Sequence, residues 1–502
     1  MKAPEGAEER PARPAQRPSP GVTRPRPACN ISRPMSRPDR IVLALAAALA
    51  AASSAAPAPA RAQAAAPPAA STPPASTPPL TLATAVQRAL ERNERARIAL
   101  ARTEAAQARL DRARAVFWPD LTLTGNYTHK LFEPETSGFA AQFGRDFNQS
   151  QDVFTATAAL TATLFDFRAY PLLRQARLAE SAARLTEAEE RRALAFEAAQ
   201  AFVSTLGAEQ VVQAAERRVA LSTQSLTEAR ARAEARLAST HDVTRAELEL
   251  RTAESTLAQA RATADQARLG LALLLDYDGP EALGSLAAPG DARAGAPEPA
   301  HPPADARKAL ERRADLEARR TLLRAQEELA SEPGRRFVPT LKADAQYRLS
   351  SEEQMGGRND DASVGLTLSW PIFDGFERDA EALERRAVAR EQAAALELAA
   401  RTVTRDVRAA RLALETQQTL ALTADRAANA AVRNAQEASA LYSQGLAQAF
   451  EVADAQARQF EAEVALTRAA LGVVAARLQL SMALGEWPAG VTPPAAAGTA
   501  TP

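Results

Sequence analysis

The clearest feature of the chain is a run in which apolar and small polar side chains alternate. This run, FTATAALTATLF, spans residues 154–165. Successive side chains of a β-strand point to opposite faces, so one face would carry the apolar residues Phe154, Ala156, Ala158, Leu160, Ala162 and Leu164. The other face would carry threonines. A strand of about a dozen residues with one wet face is typical of a tilted transmembrane β-strand.

Three further runs alternate in the same way. They are DLTLTGNYTHKL at residues 120–131, FVPTLKADAQYRLS at 337–350 and ASVGLTLSW at 362–370. The first would form a hairpin with the strand at 154–165, and the other two a second hairpin with a shorter loop. The sequence therefore predicts four strands in two hairpins.

Nearly all of the remaining chain has apolar residues at helical spacing among Arg and Glu. In the first half this predicts helices over 80–117, 172–233 and 242–275. In the second half it predicts a helix over 305–330 that SEPG ends, a long helix after residue 376, a break at YSQGLAQAF and a helix to Leu484. Helix, strand, strand, long helix, turn and helix thus occur twice, which indicates a tandem duplication.

The ends of the chain and its middle are linkers or targeting segments. A basic stretch followed by IVLALAAALAAASSAA and small residues predicts a signal peptide at 35–62, preceded by an upstream extension at 1–34. Segments rich in Pro, Ala and Gly at 63–79, 277–303 and 488–502 predict a linker, a second linker and a disordered tail. The two repeats are then residues 80–276 and 304–487.

Composition and motifs argue against an enzyme and against a nucleic-acid partner. Lys plus Arg and Asp plus Glu number 61 each, so no net field attracts nucleic acid. The single Cys29 precedes the apolar segment and cannot form an internal disulfide. His129, His241 and His301 lack the spacing of metal ligands, and no phosphate-binding loop or G-x-S-x-G motif occurs. We expect no catalytic residue, no metal and no cofactor.

Four strands cannot close a membrane barrel, and backbone groups in lipid must all be paired. If the strands lie in a membrane, several copies must pool them into eight to twelve strands. The alternative is a periplasmic coiled-coil protein that carries a small soluble sheet and has no pore.

Several local motifs resemble the TolC-like outer-membrane efflux proteins. They are PIFDGF at 371–376, LFDF at 164–167, YSQGLAQAFEVADAQ at 442–456 and the SMALG ending at 481–485. The resemblance covers residues 80–487 in the same order and with the same duplication. It implies a trimeric twelve-stranded barrel in the outer membrane, four strands per protomer, continued by an α-helical coiled-coil tunnel across the periplasm.

The resemblance also implies function and partners. It implies a passive duct for small molecules, served by an inner-membrane pump through a periplasmic adaptor protein; a duct for type I protein secretion is the alternative. The two helical turns would dock the adaptor, and the docking residues would be Arg236, Leu237, Ala238, Ser239, Gly445, Leu446 and Ala447. Arg236 stands where the family usually has glycine.

Two further sets of residues complete the predicted sites. Glu451 and Asp454 share one helix face at i, i+3 spacing, and the resemblance implies an acidic ring at the closed periplasmic aperture. Trp118 and Trp370 adjoin prolines at strand ends, where indole rings anchor proteins at the membrane interface.

Overall fold

A computed structural model describes residues 79–131, 151–236, 239–287, 302–351, 359–488 and residue 491. The predicted upstream extension and signal peptide lie outside these ranges. So do nearly all of the two terminal segments and the part of the central linker from 288 to 301.

The described residues form eight α-helices and four strands. The helices are α1 Leu82–Arg92, α2 Glu94–Ala115, α3 Ala169–Glu234, α4 Thr240–Leu274, α5 Pro302–Arg312, α6 Ala314–Arg335, α7 Glu377–Ser443 and α8 Ala449–Leu484. The strands are β1 Asp120–His129, β2 Asp152–Phe165, β3 Thr340–Ser350 and β4 Asp360–Ser369. A short 3₁₀ turn, Pro280–Leu283, follows α4. The predicted duplication is visible, because each half contains two short helices, a hairpin and two long helices.

The four strands form one antiparallel sheet in the order β1-β2-β3-β4. The pairing β2–β3 joins the two halves of the chain, and the register aligns residues of one kind across all four strands. Leu121, Leu160, Ala345 and Val364 form one such row. The next row on that face is Leu123, Ala158, Tyr347 and Ala362. One face of the sheet is therefore apolar, as the alternation predicts.

A bulge interrupts the alternation near the end of β2. The register between β2 and β3 shifts between Thr163 and Phe165, so that Phe165 is paired with Leu341. Phe165 therefore shares a row with Leu341 of the apolar face, which a strict alternation through Leu164 does not predict. A bulge lets two residues of one strand oppose a single residue of its partner, and sequence alternation does not reveal it.

Below the sheet, the helices pack in the same order as the strands that they join. Helix α2 contacts α3, α3 contacts α6, and α6 contacts α7. At 66 and 67 residues, α3 and α7 are each about 100 Å long at 1.5 Å per residue. Helix α4 packs back along the lower part of α3, and helix α8 packs back along the lower part of α7.

Two hydrophobic clusters hold the helices together. One contains Phe202 and Leu194 of α3 with Leu271 of α4, and the other Val403 and Val407 of α7 with residues of α5, α6 and α8. Leucine is the commonest residue in the first cluster and alanine in the second, and the alanines let the long helices approach closely where they pack side by side. The approach is close where α8 meets α3, since a Cβ at Gly207 would lie 2.8 Å from Leu471 Cδ1.

The first predicted helix, 80–117, is in fact two helices that meet at Asn93. The Asn93 side chain accepts a hydrogen bond from the amide of Arg95, 2.9 Å, and donates one to the carbonyl of Leu274, 2.9 Å. It therefore caps α2 and ties this break to the end of α4. The amphipathic pattern continues through the break, so sequence periodicity did not predict it.

The equivalent break in the second half falls at Arg313, between α5 and α6, and the sequence did not predict it either. Arg313 makes hydrogen bonds of 3.0 and 2.8 Å to the carboxylate of Asp315. Burial alone would raise the pKa of Asp315. The hydrogen bonds and the positive charge of Arg313 outweigh burial and hold that pKa below its usual range.

The prediction that SEPG ends the helix before β3 is wrong. Helix α6 continues through Pro333 to Arg335. Proline has no amide hydrogen, so the carbonyl of Leu329, four residues earlier, loses its helical partner. Arg385 of α7 donates a hydrogen bond of 2.9 Å to that carbonyl. A long-range contact thus compensates for the proline.

Candidate functional site

The apolar face of the sheet is open to solvent in the single chain. Leu121 is 71% exposed, Leu123 72%, Val364 87% and Leu366 70%. A soluble protein rarely leaves so large an apolar patch uncovered. This face is suited to lipid.

The opposite face of the sheet is polar and carries both signs of charge. Its central rows contain Thr122, Thr124, Thr157, Thr161, Lys342, Asp344, Gln346, Arg348, Ser363 and Asp361. Threonine and charged side chains on one face with leucine and valine on the other give the inside and outside of a membrane barrel.

The sheet has two open edges. Strand β1 pairs only with β2, and β4 only with β3, among the residues that the structure describes. An unpaired edge exposes a row of backbone donors and acceptors, which lipid cannot satisfy. The sheet is therefore incomplete as a membrane structure.

Trp118 and Trp370 lie at the lower end of the sheet, where strands and helices join. Trp118 is 74% exposed and Trp370 is 60% exposed. The indole nitrogen of Trp370 donates a hydrogen bond of 3.0 Å to the carbonyl of Phe337. Both indole rings are therefore exposed, and the ring of Trp370 is also held in place by this hydrogen bond.

Other large apolar side chains extend this level into a belt that the sequence analysis did not assign. The exposed members are Phe117, Phe165, Phe167, Tyr170, Ile372, Phe373 and Phe376. The rings of Phe117 and Tyr170 are tilted by 56° with their centres 5.6 Å apart, and Phe373 meets Phe376 edge-on at 5.6 Å. The signal was available in the sequence for five of the seven, because they lie in the motifs LFDF and PIFDGF at the ends of β2 and β4.

Tyrosines mark the other end of the sheet. The hydroxyl of Tyr127 donates to Asp152 at 2.7 Å, and Tyr347 approaches Asp360 at 3.5 Å. The ten residues of β1 span about 34 Å, which a tilt of about 40° reduces to roughly 25 Å of height. That height matches the apolar band of an outer-membrane barrel.

At the far end of the long helices, two turns have the same backbone conformation. Arg236, after α3, has φ of 59°, and Gly445, after α7, has φ of 76°. The amide of Arg236 bonds to the carbonyl of Ala233, and that of Gly445 to the carbonyl of Tyr442, at 3.0 Å each. Both residues end a helix in the left-handed conformation, which glycine adopts with least strain. Leu237 and Ala238 lie outside the described residues.

The helices that leave these two turns begin differently. Ser239 caps α4: its hydroxyl accepts from the amide of Asp242, 3.3 Å, and the Asp242 carboxylate accepts from the amide of Ser239, 3.0 Å. Gln448 occupies the same place before α8 and makes no side-chain cap. Glu451 occupies the position in α8 that Asp242 occupies in α4. Its carboxylate therefore does not cap the helix.

The second turn presents apolar side chains to solvent. Leu446 is 73% exposed and Phe450 is 41% exposed, while Ala447 is half-buried. Exposed apolar side chains at the tip of a helical pair can bury surface against a partner.

Glu451 and Asp454 both lie exposed on the first turns of α8. Asp454 forms an ion pair of 2.9 Å with Arg458, one turn further along the helix. The sequence analysis did not consider Arg458, whose charge partly offsets that of Asp454. Glu451 has no ion pair within the described residues.

Arg232 connects the two turns, and sequence reasoning missed it. Its Nη1 donates a hydrogen bond of 3.0 Å to the carbonyl of Tyr442, and its guanidinium lies 4.0 Å from the centre of the Tyr442 ring. The two residues are 210 positions apart in the chain. No local pattern in the sequence could have predicted the contact.

Among the described residues, no group of His, Cys, Asp and Glu has the arrangement of a metal site. His129 contacts Asp152 at 2.7 Å at the upper end of the sheet. One helix in the described part of the chain, α8, is long and apolar enough to cross a membrane by length and composition.

The model of the outer membrane efflux protein family matches residues 85–276 and 306–486, well over half of the chain. No curated protein matches the chain. The match divides at the central linker, as the tandem duplication predicts.

Solved structures share the fold. A membrane protein from Pseudomonas aeruginosa is 26% identical, with a TM-score of 0.68 over 80% of this chain and 93% of that one. The outer membrane protein VceC from Vibrio cholerae is 19% identical, with a TM-score of 0.67 over 81% of this chain and 96% of that one.

A third relative is the MtrE outer membrane channel of Neisseria gonorrhoeae, in its open state. It is 20% identical, with a TM-score of 0.65 over 81% of this chain and 89% of that chain. The family match, the open apolar sheet and the long helices agree, and the chain belongs to the outer membrane efflux protein family, with its strands in the outer membrane and its helical tunnel in the periplasm.

Proposed function

We propose that three copies of this chain form an outer-membrane duct that carries small molecules from the periplasm to the exterior. Their twelve strands close one barrel, and their helices continue it as a tunnel. An inner-membrane pump supplies the energy, and a periplasmic adaptor protein links the pump to the turns around Arg236 and Gly445. The duct itself is passive, and cargo selection lies mainly in the pump.

The open sheet is the observation that carries this proposal. Its apolar face needs lipid, its two free edges need strands, and a second and third copy supply those strands. The alternative of a periplasmic coiled-coil protein without a pore leaves Leu121, Leu123, Val364 and Leu366 in water. The chain also belongs to a family of efflux proteins, which agrees with this role.

Helix α8 supports the same arrangement. One stretch of it is apolar enough to cross a membrane by composition, yet only 39% of that stretch is buried within the single chain. An exposed apolar surface of this kind is normally covered by a neighbour. In a trimer, neighbouring copies cover it.

Glu451 and Asp454 place three acidic pairs around the periplasmic entrance of such a trimer. A constriction lined by one sign of charge concentrates ions of the other sign. Arg458 offsets part of the charge of Asp454, so Glu451 carries most of the effect. The proposal predicts a cation-selective pore.

Planar bilayers test both the pore and its charge. The purified protein should form channels, and Glu451→Gln combined with Asp454→Asn should move the cation-to-anion permeability ratio toward one. Glu461→Gln, on the exposed surface of the same helix about 15 Å further along, is the matched control and should leave the ratio unchanged. Absence of channels would contradict the duct, and unchanged selectivity in the double variant would contradict the acidic entrance.

A further inference from the structure

A groove with no assigned role runs along the helices just below the sheet. It has a volume of about 990 Å³, and residues of α2, α3 and α6 line it together with the connection between β2 and α3. Binding sites for drug-sized molecules have volumes of about 300–1,000 Å³. The groove is therefore large enough for an organic molecule.

Small side chains leave this space open. The buried residues of α2 end at Leu110, whereas Ala113 is half-buried and Val116 is 44% exposed. The residues of α3 that line the groove are mostly alanines, namely Ala169, Ala176, Ala179, Ala182 and Ala183. The two helices therefore separate as they approach the sheet, and the alanines between them do not fill the gap.

The groove lies on the side of the helices that continues the polar face of the sheet. Helices α2, α3 and α6 lie in a row, and a space that touches all three is on the concave side of that row. Asp166 lines the groove and interacts electrostatically with Lys342, which lies on the polar face. In the proposed trimer this face is the inside of the barrel, so the groove opens into the tunnel.

The groove carries an excess of positive charge. All four acidic residues of its lining are paired with arginine: Glu190 with Arg102 at 2.7 Å, Asp166 with Arg168 at 2.9 Å, Glu332 with Arg336 at 2.8 Å and Glu187 with Arg191 at 3.7 Å. Arg109 and Arg112 also line the groove, and neither has an ion pair among the residues that the structure describes. At i, i+3 spacing the two share one face of α2, so their charges repel each other.

We propose that the groove binds an amphipathic organic anion, with its apolar body against the alanines and its acidic head group between Arg109 and Arg112. Guanidinium groups bind oxyanions through paired, charge-assisted hydrogen bonds. An anion between the two arginines also removes their mutual repulsion. The site rests on the proposed duct, because only a closed barrel makes this side of the helices a tunnel wall. A molecule bound here narrows the tunnel.

Block of the current in planar bilayers tests the site. Pyrene-1-sulfonate, added to both sides of the channels, should reduce the current reversibly, because its fused rings suit the apolar groove and its sulfonate the two arginines. Arg109→Gln combined with Arg112→Gln should raise the concentration for half-maximal block by about tenfold or more, since hydrogen bonds to a charged group are lost. Arg114→Gln is the matched control and should leave the block unchanged, because Arg114 pairs with Asp111 at 2.9 Å and does not line the groove.

A second pair of variants tests the apolar part of the site. Ala176→Phe fills the groove without a change of charge and should also weaken the block. Ala188→Phe, exposed on the same helix about 18 Å further along, is its control and should not.

A cation with the same apolar body separates the site from a general effect on the pore. Block by 1-pyrenemethylammonium should not be weakened by the two arginine substitutions. Channels that pyrene-1-sulfonate does not block, or that it blocks equally in the arginine and Ala176 variants, overturn this site and leave the duct standing. Absence of channels overturns the duct itself.

Discussion

Arg236 and Gly445 show how one backbone conformation is met by two different residues. Both end a long helix with positive φ, yet only one of them is glycine. A residue with a Cβ pays about 1 kcal/mol or more for the left-handed conformation. Arg236 is therefore strained where Gly445 is not. Its charge is exposed at the tip, where the adaptor is proposed to dock.

We predict that Arg236→Gly stabilises the first turn by about 1 kcal/mol, because glycine removes the strain of the left-handed conformation. The matched variant in the second turn, Gly445→Ala, should destabilise by a similar amount. Amide hydrogen exchange at the ends of α3 and α7 measures both. Faster exchange at the end of α3 in Arg236→Gly would show that the arginine is not strained there.

A second prediction concerns the adaptor. Cysteine placed at Ser239 or at Leu446 should cross-link to the periplasmic adaptor in cells, because both positions lie at the exposed tips of the helical pairs. Cysteine at Leu412, which is exposed on the helical wall, is the control and should give no adduct. Absence of an adduct at both tips would argue strongly against adaptor docking at the turns.

Local residue arrangements were predictable from the sequence, and contacts across the chain were not. The i, i+3 spacing places Glu451 and Asp454 together on one helix, as the structure shows. The contact between Arg232 and Tyr442 depends on how two helices from different repeats pack. Nothing near either residue in the sequence encodes it.

At the scale of secondary structure, the strands followed the sequence closely. An alternation of period two is visible over ten residues, and it matches the observed strands, which begin or end within a few residues of the predictions. The bulge after Thr163 escaped prediction because it depends on pairing with β3. The helix breaks at Asn93 and Arg313 escaped it because the amphipathic pattern runs through them.

Pro333 shows the opposite error, in which a strong local signal was overruled by packing. Proline normally ends a helix because it leaves a carbonyl four residues earlier without a partner. Arg385 supplies that partner from α7. The same arginine pairs with Glu332, which also binds Arg336 at 2.8 Å. These contacts tie α6 to α7 just below the sheet.

The aromatic belt at the base of the sheet gives a prediction at this scale. Trp118→Ala and Trp370→Ala should each lower the amount of trimer in carbonate-washed membranes, because an exposed indole at this level anchors the barrel at the interface. Trp118→Phe and Trp370→Phe keep an aromatic ring and serve as controls, which should lose less. Normal trimer yield from both alanine variants would contradict the anchoring role.

At the scale of the whole molecule, the duplication explains the architecture. Each half supplies one hairpin and one pair of long helices, and the two halves meet at β2–β3 above and at α3–α6 below. In the proposed trimer, the pairing of β4 of one copy with β1 of the next would repeat this arrangement. The sequence predicted the duplication because the order of periodicities repeats. It could not predict the contact between α3 and α6, which depends on how the two halves pack.

The most direct test of the central claim is the mass of the mature protein extracted in mild detergent from carbonate-washed envelopes. The open sheet predicts that the protein stays in the washed membranes and that the extract contains three copies per particle, since that number supplies twelve strands. A monomer or dimer released by the carbonate wash would contradict the account, because the apolar face of the sheet would then not lie in lipid.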